Sequence, residues 1–163
     1  ADTYGRIDGV VHNAGILGER TPIEHYDVAT WQRVLHVNLT APFVLTRTLF
    51  PFLRESEDGS VIFTSSGVGR QGRAFWGAYA VSKFATEGLM ETLADEVGAG
   101  QRLRFNAVNP GATRTAMRAQ AYPAEDPGTL RTPEEIVGTY LYLLGPDSRD
   151  ENGRSFDAQP PRK

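Results

Sequence analysis

Residues 63–84 read FTSSGVGRQGRAFWGAYAVSKF and join the end of one regular element to the start of another. The run GSVIFTSS, which begins at residue 59, is rich in β-branched and aromatic residues and follows Asp58, so it predicts a strand. From about Ala78 to Val97 good helix formers surround apolar residues, and Gly98 follows, so this stretch predicts a helix. A strand followed by a helix is the building unit of a parallel sheet.

The same alternation precedes this stretch. Residues 9–12 form a short apolar run that stops at Asn13, which predicts a buried strand. Apolar residues then recur at three- and four-residue intervals from Trp31 to Leu53. This spacing predicts two helical segments, or one helix bent around Asn38.

The alternation also continues towards the carboxyl terminus. Residues 102–108 alternate apolar and polar side chains and predict a third strand, which a long loop follows. Thr132 and Glu135 fit a capping box, and the helix that they open should end at Gly145. The run GRSFDAQ, from residue 153, predicts a last strand. This order of elements predicts one α/β domain over residues 1–163, a parallel sheet with helices on both faces.

The composition limits what the protein can bind. The 163 residues carry a formal charge of −3 and an isoelectric point near 5.6, which gives no basic field for nucleic acid or anionic lipid. The longest apolar runs fall well short of a membrane-spanning helix. The absence of cysteine suits a reducing cytoplasm. His12, His25 and His36 lack metal-ligand spacing with carboxylates, so we expect no metal site.

Three loops are candidates for one binding site. They follow the three predicted strands and carry Asn13-Ala14-Gly15, Ser65-Ser66 and Asn109-Pro110-Gly111. Ligands of parallel sheets bind beyond the carboxyl ends of the strands. The three loops are therefore expected to meet at one edge of the sheet.

Gly67, Gly69 and Gly72 have the spacing of a dinucleotide-binding loop. A helix should open within such a loop, and an acidic residue should follow about 20 residues later. Here the segment from Arg73 to Gly77 delays the helix, so a flexible active-site loop or a plain turn is the better interpretation.

Tyr79 and Lys83 lie four residues apart on the predicted helix and therefore share a face. A nearby ammonium group can lower the pKa of a phenol towards the range of general acid–base catalysis. Ser66, at the end of the preceding strand, could hold a substrate oxygen beside the phenol. Taken separately, these residues could equally be a surface Tyr–Lys pair and a turn serine.

Taken together, residues spread over most of the chain resemble the short-chain dehydrogenase/reductase family, in particular its bacterial members of the 3-oxoacyl-reductase type. They occur in the family's order and at its intervals: Asn13-Ala14-Gly15, Asn38, Ser66, Tyr79-x-x-x-Lys83 and Pro110-Gly111. The resemblance implies a Rossmann-like, doubly wound fold and a homo-oligomer. It also implies hydride transfer between NAD or NADP and a carbonyl or secondary-alcohol substrate.

The resemblance assigns a role to each of these residues. Tyr79 would be the catalytic acid/base, Ser66 would orient the carbonyl or alcohol, and Asn38 would hold a proton-relay water. Lys83 would lower the pKa of Tyr79 and bind the nicotinamide ribose. The remaining cofactor contacts would come from Asn13, Ala14, Gly15, Pro110, Gly111, Thr113 and Thr115. Arg114, Arg118 and the following polar loop either shape a substrate pocket or are simply solvated.

The chain also departs from the family pattern. The family's domain begins with a strand, a Thr-Gly-x-x-x-Gly-x-Gly loop and two further strands that bind the pyrophosphate and adenosine, whereas residues 1–6 resemble the end of a later helix. We therefore expect this chain to be the carboxyl-terminal part of a longer domain. Two alternatives are a non-enzymatic fragment without the phosphate site and a hydrolase with Ser66 as nucleophile and Lys83 as base. The hydrolase lacks the nucleophile-elbow glycine pattern.

Overall fold

The computed structural model describes residues 3–98 and 100–159, and a parallel sheet of four strands forms its centre. The strands lie side by side in chain order. They are β1 (Gly9–His12), β2 (Gly59–Thr64), β3 (Leu103–Asn109) and β4 (Arg154–Asp157). Every neighbouring pair is parallel. The predicted α/β fold is thus confirmed.

Helices connect these strands. They are α1 (Val28–Leu35), a π-helical segment (His36–Thr40), α2 (Ala41–Arg54), α3 (Gly77–Val97), α4 (Ala116–Ala121), α5 (Pro133–Ile136) and α6 (Gly138–Leu144). The π-helical segment interrupts the helix at the predicted position, around Asn38. Short 3₁₀ turns lie at Ile23–His25, Gly67–Gly69, Pro127–Thr129 and Pro146–Ser148. No helix in the described parts of the chain has the length and apolar character needed to cross a bilayer.

Helices cover both faces of the sheet. On one face, Leu53 of α2 and Met90 of α3 pack with Phe63 and Phe105 in a core that excludes water. On the other face, Leu143 of α6 packs on side chains of β2 and β3. Burial of such side chains is the main favourable contribution to folding, and it fixes the strand ends relative to α3.

Two details of the predicted carboxyl-terminal half were wrong. The Thr132 capping box exists, with the Thr132 N–H donating to Glu135 Oε2 at 2.6 Å, but the helix after it is two short helices. The break falls at Val137, which keeps right-handed helical dihedral angles but forms a turn just before Gly138, a weak helix former. The predicted long loop contains α4, which Thr115 caps by accepting from the Arg118 N–H at 3.1 Å.

Candidate active site

The pocket of this site lies at the carboxyl ends of the first three strands and has a volume of about 750 Å³. Its lining includes the loops at Asn13–Gly15, Ser65–Ser66 and Pro110–Gly111, as the strand order predicted. This size falls within the range of small-molecule and cofactor sites. The convergence of the three loops at one edge of the sheet is confirmed.

Helix α3 brings two titratable side chains into this pocket. Tyr79 and Lys83 both line it, and they are only 8% and 5% exposed. Ser66 lines the same pocket from the end of β2, where its extended backbone caps the 3₁₀ turn and its Oγ accepts from the Val68 N–H at 3.5 Å. A phenol, an ammonium group and a hydroxyl are therefore gathered at one place.

Burial, rather than Lys83, dominates the ionisation of Tyr79. Loss of hydration raises the pKa of the Tyr79 phenol, and hydrogen bonding with the Ser66 side chain opposes this shift. The expected lowering of this pKa by Lys83 is therefore not what the structure shows. The phenol is a protonated group at neutral pH, and it can donate a proton to a bound oxygen.

Lys83 has a lowered pKa of about 8, because its ammonium group is withdrawn from water. The Nζ atom donates to the Thr64 carbonyl oxygen at 2.7 Å and lies 5.7 Å from the centre of the Tyr79 ring. This bond holds the amine at the end of β2, on the side of the Tyr79 ring. Within the described residues, Lys83 has no hydrogen bond to Ser66, as a base that activates the serine for hydrolysis would need.

Asn38 lies behind the pocket rather than in its lining. Its Oδ1 accepts from the Ile16 N–H at 2.8 Å, and its Nδ2 donates to Ile16 O and to Ser82 Oγ, both at 3.0 Å. The side chain is 2% exposed. Asn38 thus ties the loop after β1 to α3, and its side-chain groups are used within the protein.

Gly15 lies beside Asn38 and Lys83, at ordinary contact distance. A Cβ atom at this position would lie 3.4 Å from Asn38 Oδ1 and 3.8 Å from Lys83 Nζ. Glycine therefore lets the pocket reach the Lys83 ammonium group without a side chain between them.

The two outer loops are held by side chains that lie behind them. Asn13 Oδ1 accepts from Thr64 Oγ1 at 3.1 Å, while Asn13 and Ala14 themselves are exposed. In the loop after β3, Gln159 Nε2 donates to Pro110 O at 2.8 Å and to Thr113 Oγ1 at 3.2 Å. Gly111, Thr113 and Thr115 line the pocket, although Thr113 is buried and Thr115 caps α4.

The glycine-rich loop has a packing role. At Gly69 a Cβ atom would come within 2.9 Å of the Lys83 main chain, so this residue allows the loop to lie against α3. The helix begins only at Gly77. The glycines thus do not open a helix N-terminus towards the pocket, in agreement with the prediction that they are not a dinucleotide fingerprint.

Several pocket residues were not singled out from the sequence. They are mostly apolar, and the described lining includes Leu17, Trp76, Met117, Ala121, Tyr140 and Leu141. Their common signal, an apolar residue in a loop or on a helix, does not differ from that of core residues. Of the two arginines considered, Arg118 lines the pocket, whereas Arg114 donates to the carbonyl groups of Pro127 and Leu130.

The surroundings of His12 indicate a structural role for this residue. Its Nε2 lies 2.8 Å from Thr46 Oγ1, and its ring stacks on Phe63 with 4.8 Å between centres. Burial lowers its pKa to about 4, so it is neutral at physiological pH.

Comparison with known proteins agrees with this geometry. The family model for short chain dehydrogenases matches residues 1–126. The uncharacterized oxidoreductase YciK of Escherichia coli K12 is 58% identical over 163 residues, which are 100% of this chain and 64% of YciK. The 3-oxoacyl-[acyl-carrier-protein] reductase FabG of Thermotoga maritima is 33% identical over 93% of this chain and 64% of FabG.

Solved structures show the same relationship. A short chain dehydrogenase from Escherichia coli CFT073, complexed with NADPH, superposes with a TM-score of 0.94 and is 58% identical, over 98% of this chain and 65% of that one. The chain thus spans just under two thirds of the length of these relatives. Because the family model covers most of the sequence, the chain belongs to the short-chain dehydrogenase family.

Proposed function

We propose that the protein transfers hydride between NAD or NADP and a carbonyl or secondary alcohol, with Tyr79 as the acid/base. The observation that carries this proposal is the convergence of Ser66, Tyr79 and Lys83 on one pocket that the loops after β1 and β3 also line. The sequence has no cysteine, which suits the reducing cytoplasm in which we place the reaction.

The proposed chemistry follows from the protonation of the three side chains. In reduction, the Ser66 hydroxyl and the Tyr79 phenol hydrogen-bond the substrate carbonyl oxygen, and Tyr79 transfers its proton to that oxygen as the alcohol forms. The raised pKa of the buried phenol keeps this proton available at neutral pH. In oxidation, the phenolate is needed, so we expect this direction to be favoured at higher pH, because burial raises the pKa of Tyr79. Asn38 supports this arrangement by holding the loop after β1 against α3.

The pocket suits the nicotinamide half of the cofactor. Gly15 leaves open the space next to the Lys83 ammonium group that a Cβ atom would fill, so a ribose hydroxyl can reach this donor. The loops with Asn13 and Ala14, and with Pro110, Gly111, Thr113 and Thr115, would enclose the ring. When bound, the nicotinamide supplies or accepts the hydride. The NADPH complex of the Escherichia coli CFT073 protein supports this choice of cofactor.

We also propose that the protein is a homo-oligomer. Large apolar side chains are exposed on the helices of one sheet face, including Phe43 and Leu45 on α2 and Val81 and Phe84 on α3, each at least 44% exposed. Exposed apolar patches are typical of contact sites between subunits. Multi-angle light scattering at several protein concentrations would measure the subunit number, and a monomer at all of them would contradict the proposal.

The direct test is a chimaera in which this chain is joined to the part of YciK that it does not match. We expect the chimaera to consume NADPH or NADH with a panel of aldehydes and ketones, and we expect the 163-residue chain alone to bind either cofactor weakly. Absorbance at the nicotinamide band and calorimetric titration measure these two properties. Micromolar binding by the chain alone would show that its loops hold the phosphates, and a folded chimaera without turnover would contradict the proposed activity.

A further inference from the structure

A group of three arginines lies beside the pocket: Arg118 lines it, whereas Arg20 and Arg73 are exposed and lie outside its lining. Arg20, Arg73 and Arg118 all contact Tyr122, a residue that follows α4. The guanidinium carbons of Arg118 and Arg20 lie 3.8 Å and 5.2 Å from the centre of the Tyr122 ring, and Arg73 Nη1 lies 3.4 Å from its hydroxyl. Three cations thus surround one aromatic side chain.

Among the residues that the structure describes, only one of these three charges has an ion-pair partner. Arg118 forms a bidentate pair with Glu125, whose two oxygens lie 2.5 Å and 2.8 Å from its nitrogens. Arg20 and Arg73 form no ion pair with any described residue. Arg20 uses one Nη1 hydrogen bond, to the carbonyl oxygen of Ala121, which leaves further donors of its guanidinium group unused. Like charges gathered in this way repel one another unless an anion joins them.

Arg20 connects this cluster to the proposed reaction centre. Arg20 lies over the ring of Trp76, 4.6 Å from its centre, and the Trp76 ring lies 5.7 Å from that of Tyr79. Both Trp76 and Ala121 line the pocket. A substrate whose carbonyl group meets Tyr79 would therefore pass along Trp76 and present its far end to Arg20 and Arg73.

The wall between these two points is apolar. Leu17, Trp76 and Ala121 form a buried cluster with Tyr79, and Met117 packs against it. A surface of this kind accommodates a ring or a short hydrocarbon chain and offers it no hydrogen bonds. Its far end, in contrast, offers guanidinium donors that suit carboxylate or phosphate oxygens.

We propose, on the basis of the function proposed above, that the substrate is an anionic carbonyl compound or the corresponding alcohol. Its reacting group lies at Tyr79, its apolar body lies on Trp76, and a carboxylate or phosphate group at its other end binds Arg20 and Arg73. The arginines recognise the negative charge of this group. The test includes both a carboxylate and a phosphate, so it shows which of the two the site prefers.

The test compares three aldehydes of similar shape with the chimaera of this chain and YciK. They are 4-formylbenzoate, 4-formylphenyl phosphate and the neutral methyl 4-formylbenzoate. We expect the KM of at least one anionic aldehyde to be about tenfold lower than that of the ester, as a charge-assisted contact provides. In the variant R20Q/R73Q this preference should disappear, and in R20K/R73K it should largely return.

The control variant is R102Q. Arg102 is an exposed arginine paired with Glu57 and does not line the pocket, so its removal changes the net charge without touching the cluster. We expect R102Q to keep the preference for the anion. For each variant we compare the KM for an anionic aldehyde with the KM for the ester. Differences in the intrinsic reactivity of the aldehydes cancel when this ratio is compared between variants. Loss of the preference in R102Q, an unchanged preference in R20Q/R73Q, or no preference in the unchanged protein would overturn the proposal.

A binding measurement separates this proposal from the proposed function. Ligand-observed NMR titration of the 163-residue chain with the same three aldehydes requires no turnover. If the anions bind more tightly than the ester and R20Q/R73Q removes the difference, the anion site stands even when no aldehyde is reduced, and only the proposed function fails. If turnover occurs but the anions bind no better than the ester, the anion site is wrong and the proposed function stands.

Discussion

The two walls of the pocket are built in different ways. One wall presents the half-buried Ser66 at the end of β2 and the buried side chains of Tyr79 and Lys83 on α3. The other wall, formed by the lining residues of the loops 13–15 and 110–115, presents mostly small residues, and most of these are exposed or half-buried. Side chains with perturbed pKa values are typical of groups that take part in chemistry, whereas backbone and small residues are typical of surfaces that a large ligand lies against.

The interactions that hold the two walls in place also differ. The buried wall is fixed by the sheet core and by the bond from Lys83 to the Thr64 carbonyl group. The loop after β3 is fixed by a few polar side chains, mainly Gln159 and Asn109. We therefore expect changes in the buried wall to reduce turnover, and changes behind the open wall to reduce cofactor affinity.

The largest effect is expected from Tyr79→Phe. This change removes only the phenolic oxygen and leaves the ring on Trp76, so we expect kcat of the chimaera to fall by about a factor of 10³, as the loss of a general acid causes. Steady-state assays with NADPH and an aldehyde measure this fall in kcat. The thermal unfolding midpoint should stay the same, and the cofactor Kd should change little. A kcat within a factor of three of the unchanged protein would contradict the role of Tyr79.

The next largest effect is expected on the pH dependence of folding stability, through the buried amine of Lys83. Its native pKa is about 8 and its unfolded value 10.5, so the unfolded chain binds more protons between these pH values and folding stability rises with pH in this window. Relative to Lys83→Met, which does not titrate, the unchanged chain should gain on the order of 3 kcal/mol from below pH 8 to above pH 10.

Urea unfolding of both chains between about pH 7 and pH 9.5 measures about 2 kcal/mol of this gain. This interval stays below the range in which the Tyr79 phenol, with its raised pKa, begins to act in the opposite direction. A difference between the two chains that does not depend on pH would show that the buried amine is hydrated.

Much of this comparison could be predicted from the sequence. The four strands, α3 and the break at Asn38 follow from local patterns of apolar residues and glycine, which act over a few neighbouring positions. The pocket loops followed from one further rule, that parallel strands end at the same edge of a sheet. In the same way, the spacing of Tyr79 and Lys83 was enough to place them on one face of a helix.

The parts that could not be predicted depend on distant contacts. Arg104 alternates with apolar residues in β3 as a solvent-facing residue would, yet it is 2% exposed, because it donates to Gly145 O and pairs with Asp58. The arginine cluster joins residues 20, 73, 118 and 122 from separate loops. The raised pKa of Tyr79 results from burial by side chains that no local pattern identifies.

A smaller effect is expected where the two walls are joined. Asp157 Oδ1 accepts from Arg70 Nη1 at 2.9 Å, in the loop after Ser66, and from Asn109 Nδ2 at 2.8 Å, in the loop after β3. Asp157→Asn keeps the shape but removes the charge that holds both donors. We expect kcat/KM of the chimaera to fall about tenfold, through both kcat and the cofactor KM, as the loss of charged hydrogen bonds causes.

The matched control for Asp157 is Asp147→Asn, at the start of the turn Pro146–Ser148, because this aspartate lies outside the pocket lining. It changes the net charge equally and should leave both kinetic constants as they are. An effect of Asp157→Asn on the cofactor KM alone would show that Arg70 does not position the loop after Ser66.

The smallest effect is expected from Gln159→Ala, which tests whether the open wall can be changed by itself. The Gln159 amide donates to the carbonyl groups of Pro110 and Ala112 and to Thr113 Oγ1, at 2.8, 3.1 and 3.2 Å, so its loss leaves this loop without its main support. Neutral, half-buried hydrogen bonds contribute about 1 kcal/mol each, and water can replace some of them. We therefore expect the Kd of NADPH for the chimaera to rise about threefold to tenfold, while kcat at saturating cofactor stays the same. Gln159→Glu, which keeps the length but loses the amide donors, should act in the same direction. Calorimetry gives Kd and steady-state assays give kcat; a fall in kcat with an unchanged Kd would show that the loop after β3 acts on the chemical step and that the two walls cannot be separated.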